Sequence, residues 1–193
     1  KRIMIPKEEY LAIRDRWWDG VETRDAPTTG TVNNLNVFIR FDGEEEFGNA
    51  RSYYDGYFND ENGPSMKDYF YEVSYEMLTV NTIHYPISDM DSNLSYQDEY
   101  PRSYYQPYNA VTNPEGYTDQ ERTAREHTLL QNAIAFIESE VPDTLNIDAD
   151  DDGSVDNVTF LVYGQPGGWA DRLWPHRWAL YTVNSYINDK RVW

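Results

Sequence analysis

Between positions 148 and 156 the chain reads Asp-Ala-Asp-Asp-Asp-Gly-Ser-Val-Asp, and a short apolar run follows it directly. Carboxylates at alternate positions, a glycine at the sixth and a further carboxylate at the ninth form a calcium-loop pattern. Calcium takes six to eight hard oxygens at about 2.3–2.6 Å, and only a tight turn lets consecutive side chains converge on one point. Gly153 supplies that turn. The spacing assigns Asp148, Asp150 and Asp152 as side-chain ligands, Ser154 as a carbonyl ligand, and Asp156 as a direct or water-mediated one. The twelfth position is Thr159, where an EF-hand places a bidentate glutamate. Residues 158–163 read as strand and not as a second helix, so the loop belongs to the extracellular, structural sort. The competing reading is an acidic surface turn without an ion. Five aspartates in nine residues repel one another without a counter-ion, which favours calcium.

Acidic residues outnumber basic ones 34 to 16 among 193, giving a net charge of −18. Phosphate recognition needs clustered Lys and Arg, so nucleic acid is excluded as a partner. There is no cysteine, which removes disulfides, thiolate metal sites and cysteine nucleophiles. No run of eighteen apolar residues exists, so no membrane-spanning segment is expected. The chain begins at Lys1 and reads as a piece of something longer. It is expected to be a monomer.

Helix and strand signals alternate. Residues 7–18 read as a short amphipathic helix after Pro6, and residues 25–31 as a Pro/Thr/Gly linker. These make a segment 1–31 that precedes one domain over 32–193. Residues 32–41 carry a strand signal closed by Asp42-Gly43. Ser65 and Asp68 have capping-box spacing and open a helix through Val73. Residues 78–87 alternate apolar and polar as a half-buried strand does. Residues 89–117 are long, irregular and rich in tyrosine. Thr118 and Glu121 open a helix to 140, with Leu130, Ala133, Ile134 and Ile137 along one face. Residues 157–163 form an interior strand. The order implies an α/β layered domain with a mixed sheet and packed helices.

His84 falls in a strand and His127 on an apolar helix face, and both read as structural. In Trp174-Pro175-His176-Arg177-Trp178 the two tryptophans are expected to be buried, with His176 serving packing or a hydrogen bond.

Four stretches together resemble the immune inhibitor A family of secreted bacterial zinc metallopeptidases. Val37-Phe38-Ile39-Arg40-Phe41-Asp42 is similar to that family's first core strand. Residues 65–75, Ser-Met-Lys-Asp-Tyr-Phe-Tyr-Glu-Val-Ser-Tyr, are similar to its S-x-x-D-Y-Y-x-E-x-S-Y helix. Residues 148–164 resemble its D-x-D-G-D-G-x-V-D turn and strand, and residues 174–178 its W-P-H-x-W segment. The likeness covers residues 32–182. It implies the upper half of a zincin-type metallopeptidase domain, a protein or peptide substrate, and a secreted or surface location in bacteria. It also implies a sheet edge at residues 176–182 along which substrate backbone lies. The family's zinc is held by H-E-x-x-H, in which two histidines four apart face one metal and the glutamate activates water. His84, His127 and His176 do not have that spacing, so the resemblance places zinc only in a longer chain and assigns no catalytic residue here. The rival reading is a non-catalytic, calcium-dependent protein of the bacterial surface that binds glycans or proteins, supported by the tyrosines and by residues 89–117.

Overall fold

The computed structural model describes residues 6–9, 12, 26–165 and 175–193. Its centre is strand β1 (Gly30–Arg40), whose interior residues Leu35 to Ile39 are buried without exception. Helix α1 (Arg51–Asn59) and helix α2 (Met66–Val73) lead to strand β2 (Leu78–Tyr85), which returns parallel to β1 from Gly30↔Leu78 to Val37↔Tyr85. A two-residue strand β3 (Tyr96–Gln97) continues that flank of β1, and a 3-10 turn follows at Arg102–Tyr105. Helix α3 (Arg122–Ile137) then leads to strand β4 (Val158–Val162), which pairs with Leu35 to Ile39 on the opposite flank.

The expected mixed sheet is a parallel one. Among the described strands every pairing made by β1 is parallel, and the one antiparallel strand pair is a separate hairpin of β5 (Ser185–Ile187) and β6 (Lys190–Val192). The reason is connection length: strands joined through a helical crossover return in the same direction, whereas antiparallel neighbours need only a tight turn. Asn188 and Asp189 make that turn for the hairpin, both with positive φ, as a two-residue turn matched to strand twist requires.

A parallel sheet is ordinarily covered on both faces, and side chains on β1 divide accordingly. Leu35, Val37 and Ile39 enter the main core with Leu129, Ala133, Ile134 and Ile137 of α3. Leu130, expected among them, is only partly buried there. The other face is polar at its middle. Asn34 lies between Thr82 and Thr159, and Asn36 meets His84, while Phe38 packs edge-on to Phe47 and Tyr54. Arg51 is 2 % exposed and holds residues 86–94 down, donating to the Pro86 and Leu94 carbonyls and to Asn93 Oδ1 while covering the Phe38 ring.

Ser65 caps α2 as expected, its hydroxyl accepting from the Asp68 amide at 3.0 Å. The expected Thr118–Glu121 pairing forms, the carboxylate of Glu121 accepting from both the amide and the hydroxyl of Thr118, although the continuous helix α3 starts only at Arg122. That arrangement closes a turn ahead of the helix. Residues 7–9 and 12 are helical, and the remainder of the expected 7–18 helix lies outside the described residues. Residues 176–182 form no strand, so the sheet edge expected there is not found; among the described strands the edges of the sheet are β2 and β4. Among the described residues no helix is long and apolar enough to cross a membrane.

Candidate metal centre and the adjoining sheet edge

The acidic loop closes on itself immediately before β4. Gly153 has φ +85° and Asp151 φ +58°, so the backbone reverses twice and turns alternate carboxylates inward. Asp148 is the buried member, 3 % exposed. Its Oδ1 accepts from the Asp152 amide at 2.9 Å and its Oδ2 from the Gly153 amide at 3.0 Å. Asp152 in turn accepts from the Ser154 amide at 2.7 Å.

Asp148, Asp150 and Asp152 each offer a carboxylate oxygen, and these oxygens lie within 4.8 Å of one another. Three carboxylate oxygens that close together could hold a metal ion, and hard oxygen donors of this kind are the ones calcium takes. The trio is brought together; the other two predicted ligands stand beside it. Asp156 Oδ2 accepts from the Ala149 amide at 2.9 Å, and this residue is not among the converging carboxylates. Ser154 lies at the turn's exit, its hydroxyl taken by the Trp193 indole N–H at 3.2 Å. Thr159, the twelfth position, points into the sheet, where its hydroxyl meets Asn34, and so offers the loop no ligand.

The electrostatics describe a site short of positive charge. Burial, reinforced by Asp150, Asp148 and Asp152, pushes the Asp156 carboxyl up to about 6. Burial and the neighbouring Asp152 also raise Asp150. Burial works against ionisation of Asp148 too, but Lys190 and the two loop amides outweigh it and hold that carboxyl below its ordinary value.

Lys190 was invisible to local sequence reading. It arrives from β6, 42 residues away, and places Nζ 2.7 Å from Asp148 Oδ2. Its neighbour Arg191 joins loop to hairpin through backbone bonds, Val155 N to Arg191 O at 2.8 Å and Arg191 N to Gly153 O at 3.0 Å. Only the turn chemistry of Asn188-Asp189 hints at such a hairpin, and nothing near it names the aspartate.

An open groove of about 1460 Å3 runs along β4 from the acidic loop. Asp150, Asp152 and Asp156 line it at the head of the strand, and Glu126 and His127 of α3 line it together with residues 175–180. His176 Nε2 lies 3.2 Å from Glu126 Oε1, so this histidine makes the polar contact anticipated for it. His127 Nδ1 lies 2.7 Å from the Thr182 hydroxyl. These two histidines therefore share one wall, whereas His84 is beyond the sheet, between Asn36 and Asp55. His127, expected to be structural on its apolar helix face, is fully buried at 1 % exposure. The expected burial of Trp178 is not found: it is 58 % exposed, because residues 175–180 skirt the groove instead of joining the sheet. Trp174 lies outside the described residues. Compared with protein-family models and with curated proteins, the chain matches neither.

Proposed function

We propose that this chain is a calcium-stabilised part of a secreted bacterial zinc metallopeptidase, inactive by itself, in which the acidic loop fixes the start of β4 and a protein or peptide substrate lies along the open edge of that strand. The observation that carries the reading is the convergence of Asp148, Asp150 and Asp152 at the head of a strand whose outer edge pairs with no other strand among the described residues. Calcium in that position removes the repulsion among five aspartates and holds the strand where a substrate backbone can add to it. Zinc is a different matter. His84, His127 and His176 are divided between two faces of the sheet and do not supply the H-E-x-x-H geometry, so no zinc-dependent step is assigned to these residues.

The test is thermal melting with calcium and with excess chelator. An ion that binds only the native state adds RT ln(1 + [L]/Kd), about 2.7 kcal/mol at a hundred times Kd. The midpoint is expected to rise with calcium, and Asp150→Ala to abolish most of the rise. An unchanged midpoint, with no ion retained on dialysis, leaves the acidic-turn reading in place.

A second reading has its own observation. Tyr53 and Tyr57 of α1 and Tyr69 and Tyr71 of α2 are 43–57 % exposed on neighbouring helices, a surface of the kind that stacks on sugar rings. Saturation-transfer NMR with bacterial oligosaccharides distinguishes this glycan-binding reading from the peptidase one.

A further inference from the structure

Asn62-Gly63 is the one Asn-Gly pair in the chain, and it sits in the turn that joins α1 to α2. A glycine after an asparagine leaves the next main-chain nitrogen unshielded, since no Cβ stands between it and the carboxamide. The turn does nothing to hold the pair apart. Asn62 is exposed, and its backbone amide donates to Asp60 Oδ1 at 2.8 Å. Among the described residues, the Asn62 carboxamide and the Gly63 amide have no hydrogen-bond partner. Glycine is also what the turn requires. A Cβ at position 63 would lie 2.8 Å from Asp60 Oδ2, on a carboxylate already committed to Asn62.

Comparable positions elsewhere are tied down. The Gly153 amide, which follows Asp152, donates to Asp148 Oδ2 at 3.0 Å, and Gly56, which follows Asp55, lies inside α1. Asn59 uses both ends of its carboxamide on Asp55 and on the Thr82 peptide groups. Asn109 Oδ1 accepts from the Val111 and Thr112 amides. Those bonds keep each side chain off the nitrogen that follows it.

We infer that Asn62 is a site of spontaneous modification, converting to aspartate and isoaspartate in the folded protein ahead of the other described asparagines. Asparagine is a thermolabile residue in general, and here the local structure chooses which one reacts. Gly63 N gives its proton to hydroxide and attacks Asn62 Cγ. The new N–Cγ bond closes a five-membered imide while the Cγ–Nδ2 bond breaks, and the departing nitrogen takes a proton from water and leaves as ammonia. Water then opens the ring. Cleavage of the N–Cγ bond gives aspartate. Cleavage between Gly63 N and the main-chain carbonyl carbon of residue 62 gives isoaspartate, with the chain routed through the side-chain carboxyl. Water is consumed, ammonia is released, and nothing is oxidised or reduced.

The place gives the change a structural reach. The Ser65 hydroxyl donates to the Asp60 carbonyl and accepts from the Asp68 amide at 3.0 Å, so this turn starts α2 and ties it to the end of α1. Isoaspartate adds one main-chain atom inside that pinned span. It also sets a further carboxylate near Asp60 and Glu61, the latter holding Lys67 at 2.6 Å. Tyr53 and Tyr57 on one helix, and Tyr69 and Tyr71 on the other, are exposed on either side of the joint. Their relative placement therefore depends on the state of residue 62.

The experiment ages the intact chain in mildly alkaline and in mildly acidic buffer and maps its peptides by mass spectrometry. An L-isoaspartyl methyltransferase with a labelled methyl donor counts isoaspartate in the same samples. The peptide spanning Asn62 is expected to gain the amide-to-acid mass difference before any other asparagine-containing peptide. The gain is expected to be faster in alkaline buffer, because the attacking nitrogen must lose a proton. Methyl acceptance is expected to grow in step, and to be lost in Asn62→Gln, whose longer side chain would have to close a slower six-membered ring. Circular dichroism reports the fold of that variant, and the peptide map of the parent carries the same question without a substitution. An intact Asn62 at a time when other asparagines have converted overturns the proposal. So does conversion that occurs in urea and not in native buffer, which would show that the turn protects the pair. A mass gain at Asn62 without methyl acceptance overturns the imide route and with it the reason for choosing this residue.

Discussion

Lys190 Nζ and Asp148 Oδ2 are 2.7 Å apart, so an ammonium group from the C-terminal hairpin holds the most buried carboxylate of the candidate metal loop. A divalent ion entering the loop competes with that ammonium for the same oxygen. The hairpin is thus part of the loop's electrostatics, although no spacing rule for calcium loops includes it.

Lys190→Met is expected to tighten calcium binding roughly three- to tenfold, since the ion no longer displaces a resident charge. Without calcium the same variant melts at a lower temperature than the parent, because Asp148 keeps its two amide donors but loses its cation. Calorimetric titration and paired melts measure both effects. A weaker calcium affinity in the variant would show that Lys190 organises the loop and does not compete with the ion.

The buried imidazole of His84 makes stability depend on pH. Burial lowers its pKa from the ordinary 6.5, and the opposing pull of Asp55 does not restore it. The unfolded chain then binds a proton at a higher pH than the folded one. Stability from this group is complete above about 6.5 and falls as pH drops from there through the folded value. Urea midpoints at about pH 7.5 and about pH 5.5 are expected to diverge in the parent and to converge in His84→Gln, after the common slope from other groups is subtracted.

Gly164 follows β4 with φ +87°, and a Cβ there would lie 2.6 Å from the guanidinium of Arg102. Arg102 meets the Tyr163 carbonyl and bonds Glu44 Oε1 at 2.8 Å. Gly164→Ala is expected to cost about 1–2 kcal/mol from the left-handed backbone alone, and to loosen Arg102 as well. Chemical denaturation gives the first quantity. Arg102→Ala in the same background gives the second, since the two changes are then less than additive.

Asn34 is fully buried at the middle of β1. Its Nδ2 donates to Thr82 Oγ1 at 3.1 Å and to Thr159 Oγ1 at 3.0 Å, and its Oδ1 accepts from Asn157 Nδ2 at 2.8 Å. One side chain therefore joins three strands. Asn34→Ala orphans these partners and is expected to cost about 2–3 kcal/mol in urea unfolding. Asn34→Asp tests the same contacts with a carboxylate, which accepts from Asn157 but not from the threonines unless their hydroxyls turn.

What was legible in the sequence was what neighbours in the chain decide. The alternating apolar residues of β1 and β2, the Ser65 cap and the reversal at Gly153 all follow from contacts within a few residues. So does the grouping of Asp148, Asp150 and Asp152, because alternate side chains on one tight turn must converge. The parallel direction of β4 was less accessible, since a strand's own residues are the same whichever way its partner runs. Lys190 and Asp148 meet only because a hairpin folds back over the loop. Trp178 is exposed although its composition suggests a core residue, since burial depends on whether residues 175–180 join the sheet. The pairing of His176 with Glu126 is likewise a matter of tertiary placement, which no spacing along the chain encodes.

The central position of β1 also sets an order of events in time. Leu35 pairs with Val158, 123 residues further along the chain. At a synthesis rate of about 5–20 residues per second, β1 waits roughly 6–25 s for that partner. Until α3 (Arg122–Ile137) is made, late in that interval, Leu35, Val37 and Ile39 have neither β4 nor the helix that covers them in the finished protein. The strand that anchors the sheet is thus the segment most exposed to chaperones and to mispairing while the chain is being made, and slowing translation after β2 would lengthen that exposure.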